Sequence, residues 1–416
     1  MRLGRNFVIY LASSLIAGFL PLMLMPYLTR QLTPEDYGMM ITVTTLILVA
    51  LPLVSWGAIP YLGVQYFRTD RTVFGALFST LLIIPVVTTL LLVILAALAA
   101  FWIAALMDLP QLWVPVIPVM AVGFFIPMAT LNLLRMLDRP FGYAWVELSG
   151  TAINFGLTIV LIFAAGLAWE GRILAVFGAN LLISIAAFLW LMRQGFLGQT
   201  FTPALLAPAL RFGAGVVPHD LANQAMRLAD RLIVAVVIGQ TALGAYGVAT
   251  QIATVMLVML GALNRAWTPL VFATLAEDTE AARIRLVRRS YLVYLGLLGF
   301  FAAFNFATPF IYDLLVDSRY HGAQPAVFWL TLGFLFNGFY LTVVDHIFYL
   351  KKTHLLAAVT VLNASASLTL AYALAGSMGV VGVPIAFAVT SGVVMIAVFG
   401  LTQWLSPLPW WRALTA

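Results

Sequence analysis

The stretch that decides the fold class is residues 74–103, FGALFSTLLIIPVVTTLLLVILAALAAFWI, which contains no charged side chain. A helix that crosses a bilayer needs about 20 consecutive, mostly apolar residues, so this stretch can span a membrane. Comparable apolar runs lie near 7–29, 37–62, 113–134, 143–165, 172–192, 212–238, 245–273, 290–312, 326–350, 355–375 and 380–404. The sequence therefore predicts an all-α polytopic membrane protein of about twelve transmembrane helices.

The composition of the whole chain agrees with a bilayer environment. Of its 416 residues, 63% are hydrophobic and 9% are charged, and the mean hydropathy is +1.05. A soluble domain has about 45–50% apolar and about 25% charged residues. The chain has no cysteine and only four scattered histidines, which predicts no metal site. P-loop, GxSxG and HExxH motifs are absent from the sequence, so neither ATP hydrolysis nor another enzymatic activity is expected.

The cationic side chains are distributed unevenly among the connectors. If the N-terminus is cytoplasmic, 15 of the 21 Lys and Arg residues fall in inner segments and 3 in outer segments. The outer ones are Arg30, Arg172 and Arg319. The positive-inside rule then predicts that both termini are cytoplasmic. It also explains the net charge of +6 without a nucleic-acid partner.

The connectors also predict how the chain is divided. The long inner connector 193–211 separates an N-terminal six-helix lobe, residues 1–192, from a C-terminal six-helix lobe, residues 212–416. Tyr-Gly pairs near the start of the second and eighth spans indicate a weak internal repeat. Transporters built from repeated halves bind substrate between them.

Two connectors predict where helices begin. Between the first two spans, Thr33 can cap the next helix, Pro34 suits its first turn, and the acidic Asp36 suits its positive end. A second long inner connector, 274–289, carries acidic residues followed by four Arg. That pattern fits either a short surface helix or a solvated linker.

The seventh span concentrates the ionisable residues. Residues 218–231 read PHDLANQAMRLADR, and a helical period places Asp220, Asn223, Arg227, Asp230 and Arg231 on one face. We call these five residues the span-7 stripe. Because ionisable side chains are costly inside a membrane, they indicate a functional site.

Two interpretations of the stripe remain open. Asp230 or Asp220 could pair with Arg227 in a purely structural network. Alternatively, the surplus positive charge could bind an anion such as phosphate, which suits the planar donors of Arg. Arg265, in the eighth span, either joins this site or extends to the membrane interface.

Four further residues are candidates for ion coupling. His219 lies at the start of the stripe, Glu147 lies in the fifth span, and Asp345 and His346 lie in the tenth. Intramembrane carboxylates and histidine serve as proton relays, so we expect coupling to H⁺ or Na⁺ and no organic cofactor. Asp345 and His346 could instead be interfacial residues beside Lys351 and Lys352.

Several short segments resemble one known family. Residues 26–38, PYLTRQLTPEDYG, are similar to its N-terminal motif, and residues 230–234, DRLIV, are similar to its Asp-Arg signature. Weaker similarities lie at 244–249, 267–269 and 349–353. These segments resemble the oligosaccharide-lipid (O-antigen) flippases of the polysaccharide transporter family. That family belongs to the multidrug/oligosaccharidyl-lipid/polysaccharide exporter superfamily.

The resemblance implies a function and a location. It implies two lobes around a central cavity, alternating access, and a place in the bacterial inner membrane. The implied cargo is an undecaprenyl-diphosphate-linked oligosaccharide for O-antigen, capsule or exopolysaccharide. The implied partners are this cargo, membrane lipids, a polysaccharide polymerase and a chain-length regulator. The family's cavity cations correspond to Arg227 and Arg231 and its embedded acid to Asp230, whereas the N-terminal lobe has few embedded cations beyond Arg30.

Three alternatives are distinguishable from the sequence. A multidrug/cation antiporter of the same superfamily would have mostly acidic embedded residues. A lipid II flippase usually has fourteen spans. A polyprenol-dependent polymerase or glycosyltransferase would need a sizeable outer loop, and the longest outer segment here is 313–325, with Asp313, Asp317 and Arg319.

Overall fold

The molecule is built almost entirely from helices. The structure is a computed structural model that describes residues 2–197, 200–277, 279–350 and 352–415, and no strand occurs among them. The chain divides into two compact units. Unit 1 is Met1–Leu232 with Gly239–Thr241, and unit 2 is Ile233–Ile238 with Ala242–Ala416. The predicted six-helix lobes, 1–192 and 212–416, stay a prediction.

The helices follow one another with short connectors. The first eleven are α1 (Arg2–Gln31), α2 (Pro34–Ser55), α3 (Ala58–Tyr66), α4 (Arg71–Leu81), α5 (Ile83–Leu98), α6 (Ala100–Met107), α7 (Val116–Val122), α8 (Phe125–Met136), α9 (Pro140–Ile159), α10 (Trp169–Arg193) and α11 (Leu206–Val237). The remainder are α12 (Gln240–Glu277), α13 (Glu280–Leu315), α14 (Gln324–Tyr349), α15 (Thr353–Met378), α16 (Gly382–Leu405) and α17 (Trp410–Thr415). Short 3-10 turns lie at Gln111–Trp113, Pro203–Leu205, Ser318–Ala323 and Gly379–Val381, and a π-helical turn at Val160–Ala164.

Many of these helices are long enough to span a membrane. In the described part of the chain, 10 segments are long and apolar enough to cross a bilayer. One of them, Ala358–Leu405, contains parts of two helices, α15 and α16. The polar helix α11 is not among the ten, although it has 32 residues. With that segment divided and α11 added, the helices match the twelve apolar runs, and the prediction of a polytopic all-α membrane protein is confirmed.

Proline interrupts several spans in unit 1. Pro85 cannot donate a hydrogen bond to the carbonyl four residues earlier, and the helix divides at Leu82, between α4 and α5. Pro127 likewise cannot donate to the carbonyl of Gly123, and here the Ser184 hydroxyl donates instead, at 3.2 Å. Side chains of neighbouring helices thus satisfy carbonyls that proline leaves open inside a membrane.

The predicted start of α2 is confirmed. The Thr33 side chain accepts a hydrogen bond from the backbone N–H of Asp36 at 3.1 Å, and Pro34 is the first residue of the helix. The Asp36 carboxylate in turn accepts from the backbone N–H of Thr33 at 3.1 Å. This reciprocal pair is a capping box. It fixes where α2 begins and therefore the position of the buried Tyr37, which follows Asp36.

The basic connector 274–289 differs from both predictions. Thr279 caps α13, because its side chain accepts from the Ala282 N–H at 3.2 Å. The helix then continues from Glu280 to Leu315. The four arginines therefore form the first turns of a long helix rather than a separate surface helix or a linker. Asp278 lies outside the described residues.

Candidate translocation site

The span-7 stripe lies on α11 in unit 1, on the less buried side of that helix. Asn223 and Arg227 are exposed, Asp220, Asp230 and Arg231 are half-buried, and Leu228, on another face, is only 6% exposed. The predicted separation of polar and apolar faces is therefore present. It follows from the helical period alone.

The contacts of Arg227 and Gln224 connect the stripe to α2. The Arg227 guanidinium donates to Gln224 Oε1, and Gln224 Nε2 donates to the backbone carbonyl of Leu48 at 3.1 Å. Within the described residues Arg227 hydrogen-bonds this amide, not Asp220 or Asp230. Gln224 therefore has a structural role, because it links α11 to α2. The side chain of Arg227 remains exposed.

His219 and Asn223 form a second polar pair on the same helix. Asn223 Nδ2 lies 3.0 Å from His219 Nε2, one turn away. Both residues are exposed. The predicted coupling residue His219 is therefore placed beside a stripe residue, and within the described ranges its ring hydrogen-bonds no carboxylate.

Arg172 makes contacts that the sequence did not predict. It was expected on the outer side, and it lies in the first turn of α10 with its side chain half-buried. Its Nη1 donates to Thr158 Oγ1 at 2.8 Å and to Asn154 Oδ1. The sequence did contain a pattern that could have predicted these contacts. Asn154 and Thr158 are two polar residues one turn apart on the fifth span, and they form a polar face towards α10.

Two cations lie within electrostatic range of Tyr37. Its side chain is buried, at 2% exposure, and both Arg172 on α10 and Arg231 on α11 act electrostatically on its hydroxyl. Both arginines belong to unit 1, and two cations near one another favour an anionic ligand. The expectation of few embedded cations in the N-terminal lobe, residues 1–192, stays a prediction.

Close backbone packing fixes Tyr37. A Cβ atom on the next residue, Gly38, would lie 1.9 Å from the Gln240 carbonyl oxygen. Gln240 belongs to unit 1 and its side chain accepts from Thr42 Oγ1 at 2.8 Å and donates to the Met107 carbonyl. Glycine is therefore required where α2 touches the start of α12, which explains half of the Tyr-Gly repeat.

Glu147 lies in a polar region of unit 1. Its carboxylate accepts from Ser14 Oγ at 3.1 Å and from the Tyr143 hydroxyl at 3.2 Å. It lines a cavity of about 190 Å³ together with Thr151 and Asn180. These two hydrogen bonds stabilise the Glu147 carboxylate, which favours a structural role.

The remaining predicted residues lie in unit 2. Asp345 and His346 are buried on α14, at 4% and 1% exposure. Thr268 of α12 lies close to the Asp345 carboxylate, and His346 Nδ1 lies 3.2 Å from the Val343 carbonyl. Asp345 Oδ2 and His346 Nε2 have no hydrogen-bond partner among the described residues. Burial of this extent disfavours the interfacial alternative. Arg265 lies on α12 and is exposed.

The donor chemistry for a metal ion is missing in the described ranges. No group of three or more His, Cys, Asp or Glu side chains capable of holding a metal ion is found there. The arrangement therefore offers cations and hydrogen-bond donors for an anion in unit 1 and one buried carboxylate in unit 2.

Known proteins resemble this chain in sequence and in fold. Residues 27–325 match the family described as polysaccharide biosynthesis protein. A protein of the Lsg locus of Haemophilus influenzae is 24% identical over 379 residues, covering 87% of this chain and 89% of that protein.

Two solved structures share the fold. An inward-facing multidrug resistance MATE transporter of the MOP superfamily has a TM-score of 0.72, 15% identity, and coverage of 96% of this chain and 97% of its own. The inward closed lipid II flippase MurJ has a TM-score of 0.69, 13% identity, and coverage of 95% and 87%. At these identities the likeness concerns the fold. Because the family match covers most of the residues, the chain belongs to the polysaccharide biosynthesis protein family, as a multi-pass membrane protein with an exporter-type fold.

Proposed function

We propose that this protein is a flippase that moves undecaprenyl-diphosphate-linked oligosaccharide repeat units across the bacterial cytoplasmic membrane. The observation that carries the proposal is the family match over residues 27–325, combined with a fold shared with exporters and a flippase. The repeat units would supply O-antigen, capsule or exopolysaccharide. A polymerase and a chain-length regulator are the partners that such a pathway requires, and the protein itself catalyses no bond change.

The cations of unit 1 are the proposed diphosphate ligands. Arg227 is exposed, and Arg231 and Arg172 act together on Tyr37. Arginine presents a planar fork of donors that matches phosphate oxygens. In the proposed cycle these residues bind the diphosphate, the polyprenyl tail stays in the bilayer, and the sugars cross in a polar cavity whose access alternates. Asp220, Asn223, Asp230 and Arg265 are further proposed contacts of the cargo.

Ion coupling is proposed for Asp345 of unit 2. One of its carboxylate oxygens is buried without a hydrogen-bond partner among the described residues. An intramembrane acid of this kind is a candidate for binding H⁺ or Na⁺. His346 is its proposed neighbour in this role. Glu147, which accepts hydrogen bonds from Ser14 and Tyr143, and His219 are weaker candidates.

A multidrug/cation antiporter is the competing transporter, because a solved structure with this fold is a multidrug transporter. A cationic drug is repelled by embedded arginines. The stripe arginines Arg227 and Arg231, together with Arg172, therefore favour the anionic cargo over the drug.

A membrane polymerase or glycosyltransferase is less well supported. The outer-segment residue Asp317 accepts hydrogen bonds from the side chain of Arg319 at 2.8 Å and from its backbone N–H at 3.1 Å. These bonds hold the pKa of the Asp317 carboxyl below its usual range. A carboxyl kept ionised as a cap is unsuited to act as a general acid.

The proposed cargo is tested in a strain lacking the gene. We expect the strain to accumulate lipid-linked oligosaccharide on the cytoplasmic side and to lose its surface polysaccharide. Plasmid-borne wild type should restore the polysaccharide. Normal surface polysaccharide in the deletion strain, with no accumulated lipid-linked intermediate, would refute the flippase assignment.

The proposed ligands are tested in the same strain. Arg227→Ala with Arg231→Ala should abolish surface polysaccharide while the membrane abundance of the protein, measured by immunoblot, stays normal. Arg285→Ala with Arg289→Ala removes the same charge from exposed positions of α13 and should leave the polysaccharide intact. Restoration by the Arg227/Arg231 variant would show that another group binds the diphosphate.

A further inference from the structure

A large cavity lies in unit 2 at the end where α13 begins and α16 ends. Its volume is about 930 Å³, and its walls include Arg283, Tyr291, Phe399, Trp410 and Arg412. Binding sites for small molecules have volumes of about 300–1,000 Å³. The cavity is therefore large enough for a ligand, and neither the span-7 stripe nor Asp345 belongs to it.

The wall of the cavity is held in place by the C-terminal segment. Gln403 Oε1 accepts from the Leu408 N–H and from Trp410 Nε1, both at 3.1 Å, and Gln403 Nε2 donates to the Leu408 carbonyl at 3.2 Å. The Tyr291 hydroxyl donates to the Trp410 carbonyl at 2.9 Å. These bonds fold residues 406–415 back against α13, so the cavity is a built feature of the fold.

The aromatic rings at this end of unit 2 are typical of a membrane interface. The Trp410 ring packs against Phe399 and Tyr291, with centroids 5.0 Å and 5.7 Å away. Trp404 and Trp411 are 73% and 84% exposed. Tryptophan and tyrosine are enriched where lipid headgroups meet water, and a lipid headgroup therefore lies within reach of the cavity.

The charge of the lining favours an anion. Among the described residues that line the cavity, Arg283 and Arg412 are the cations and Glu280 is the carboxylate, and Arg412 Nη1 lies 2.6 Å from Glu280 Oε1. Arg285, which pairs with Glu277, and Arg289 are exposed on the same turns of α13 but do not line the cavity. On the same helix, Leu292 and Leu295 are 68% and 65% exposed, which provides an apolar surface for a chain attached to the anion.

We propose that this cavity binds the phosphate headgroup of an acidic phospholipid from the adjacent leaflet. Arg283 and Arg412 hold the phosphate, the aromatic rings surround the glycerol region, and the acyl chains lie along the exposed leucines of α13. Glu280 competes with the phosphate for Arg412 and so limits the affinity. The site is separate from the proposed cargo site and does not depend on which cargo is moved.

The test uses the purified, delipidated full-length protein in detergent. Native mass spectrometry measures its binding of phosphatidylglycerol, phosphatidylcholine and inorganic phosphate. We expect phosphatidylglycerol to bind about tenfold or more tightly than phosphatidylcholine. Both lipids carry a phosphate, but the choline cation neutralises the phosphatidylcholine headgroup and is repelled by the two arginines. Equal binding of the two lipids would overturn the proposal. Displacement of phosphatidylglycerol by millimolar inorganic phosphate would assign the site to free phosphate and overturn the lipid assignment.

Variants separate the cavity from general surface charge. Arg283→Gln with Arg412→Gln should reduce the preference for phosphatidylglycerol to the level of phosphatidylcholine. The control Arg285→Gln with Arg289→Gln removes the same charge from positions outside the cavity and should retain it. An equal loss in the control would overturn the proposal.

A variant that gains affinity distinguishes loss of the site from misfolding of the protein. Glu280→Gln removes the competing carboxylate, so phosphatidylglycerol should bind several-fold more tightly than to the wild type. A damaged fold cannot produce that result. Unchanged or weaker binding by Glu280→Gln would refute the proposed phosphate position.

Discussion

Half-buried and exposed arginines serve different purposes in unit 1. Arg172 is half-buried and donates to Thr158 and Asn154, because a charge that loses water is tolerated only when its donors are satisfied. Arg227 is exposed and touches one amide, Gln224. The first side chain therefore holds α9 and α10 together and supplies a fixed positive field. The second keeps donors available for a ligand.

Arg172→Ala should destabilise the protein. The substitution leaves Asn154 and Thr158 without their donor, and hydrogen bonds to a charged group contribute about 1.5–3 kcal/mol. Thermal unfolding in detergent should show a clearly lower midpoint. Arg193→Ala, an exposed change at the other end of α10, should stay within about 0.5 kcal/mol of the wild type. Equal midpoints for the two variants would contradict the role given to Arg172.

Asp345→Asn should separate stability from coupling. Asparagine keeps the shape of the side chain and its contact with Thr268, while it removes a buried ionisable group, so thermal stability should be equal or higher. Transport in proteoliposomes should no longer respond to an imposed H⁺ or Na⁺ gradient. Asp313→Asn, at an exposed position of α13, is the control and should respond normally. A retained gradient response in Asp345→Asn would exclude this residue from coupling.

At the scale of elements, the helices of unit 1 are positioned by close backbone approaches. A Cβ atom on Gly213 of α11 would lie 2.1 Å from the Trp56 carbonyl oxygen, whereas one on Gly215 would have no neighbour within 4 Å. Trp56 itself has a positive φ of 43° and ends α2, and its Nε1 donates to the Leu210 carbonyl at 3.2 Å. The helix that carries the stripe, α11, therefore packs directly against the break between α2 and α3.

Gly213→Ala and Gly215→Ala should have opposite effects. The first forces α11 away from Trp56, and overpacking of this kind costs about 1–3 kcal/mol. The second fills open space and restricts the unfolded chain, so it should be neutral or stabilising by up to about 1 kcal/mol. Thermal unfolding of both variants in detergent is the measurement. A stable Gly213→Ala protein would show that α11 does not rest on Trp56.

At the scale of the whole molecule, the charge distribution predicts the orientation in the membrane. Of the 21 Lys and Arg residues, 15 fall in segments predicted to be cytoplasmic. Cationic loops remain cytoplasmic because translocating them is unfavourable. This argument depends only on the order of spans and loops along the chain, and it does not require the tertiary structure.

The chain contains no cysteine, which allows single cysteines to report the orientation directly. Thr200→Cys lies in the exposed connector before α11, and Ser318→Cys lies in the exposed segment after α13. A membrane-impermeant thiol reagent applied to intact cells should label Ser318→Cys only. Thr200→Cys should be labelled only after the membrane is permeabilised. The reverse pattern would place the termini outside.

The sequence by itself determined the spans, the cap at Thr33, the orientation bias and the shared face of the span-7 stripe. These features depend on hydrophobicity and on the 3.6-residue period, both of which are properties of neighbouring residues. Even so, the prediction for residues 274–289 was wrong. The four arginines are typical of a polar connector, but they belong to the first turns of α13.

Only the tertiary structure decided which polar residues meet. The inward position of Arg172 depends on Asn154 and Thr158, which lie on another helix. The partner of Gln224 is a carbonyl of α2, and the cavity beside α13 exists because residues 406–415 fold back over it. Such contacts join residues that are distant along the chain. They arise from the packing of helix faces, which no local pattern specifies.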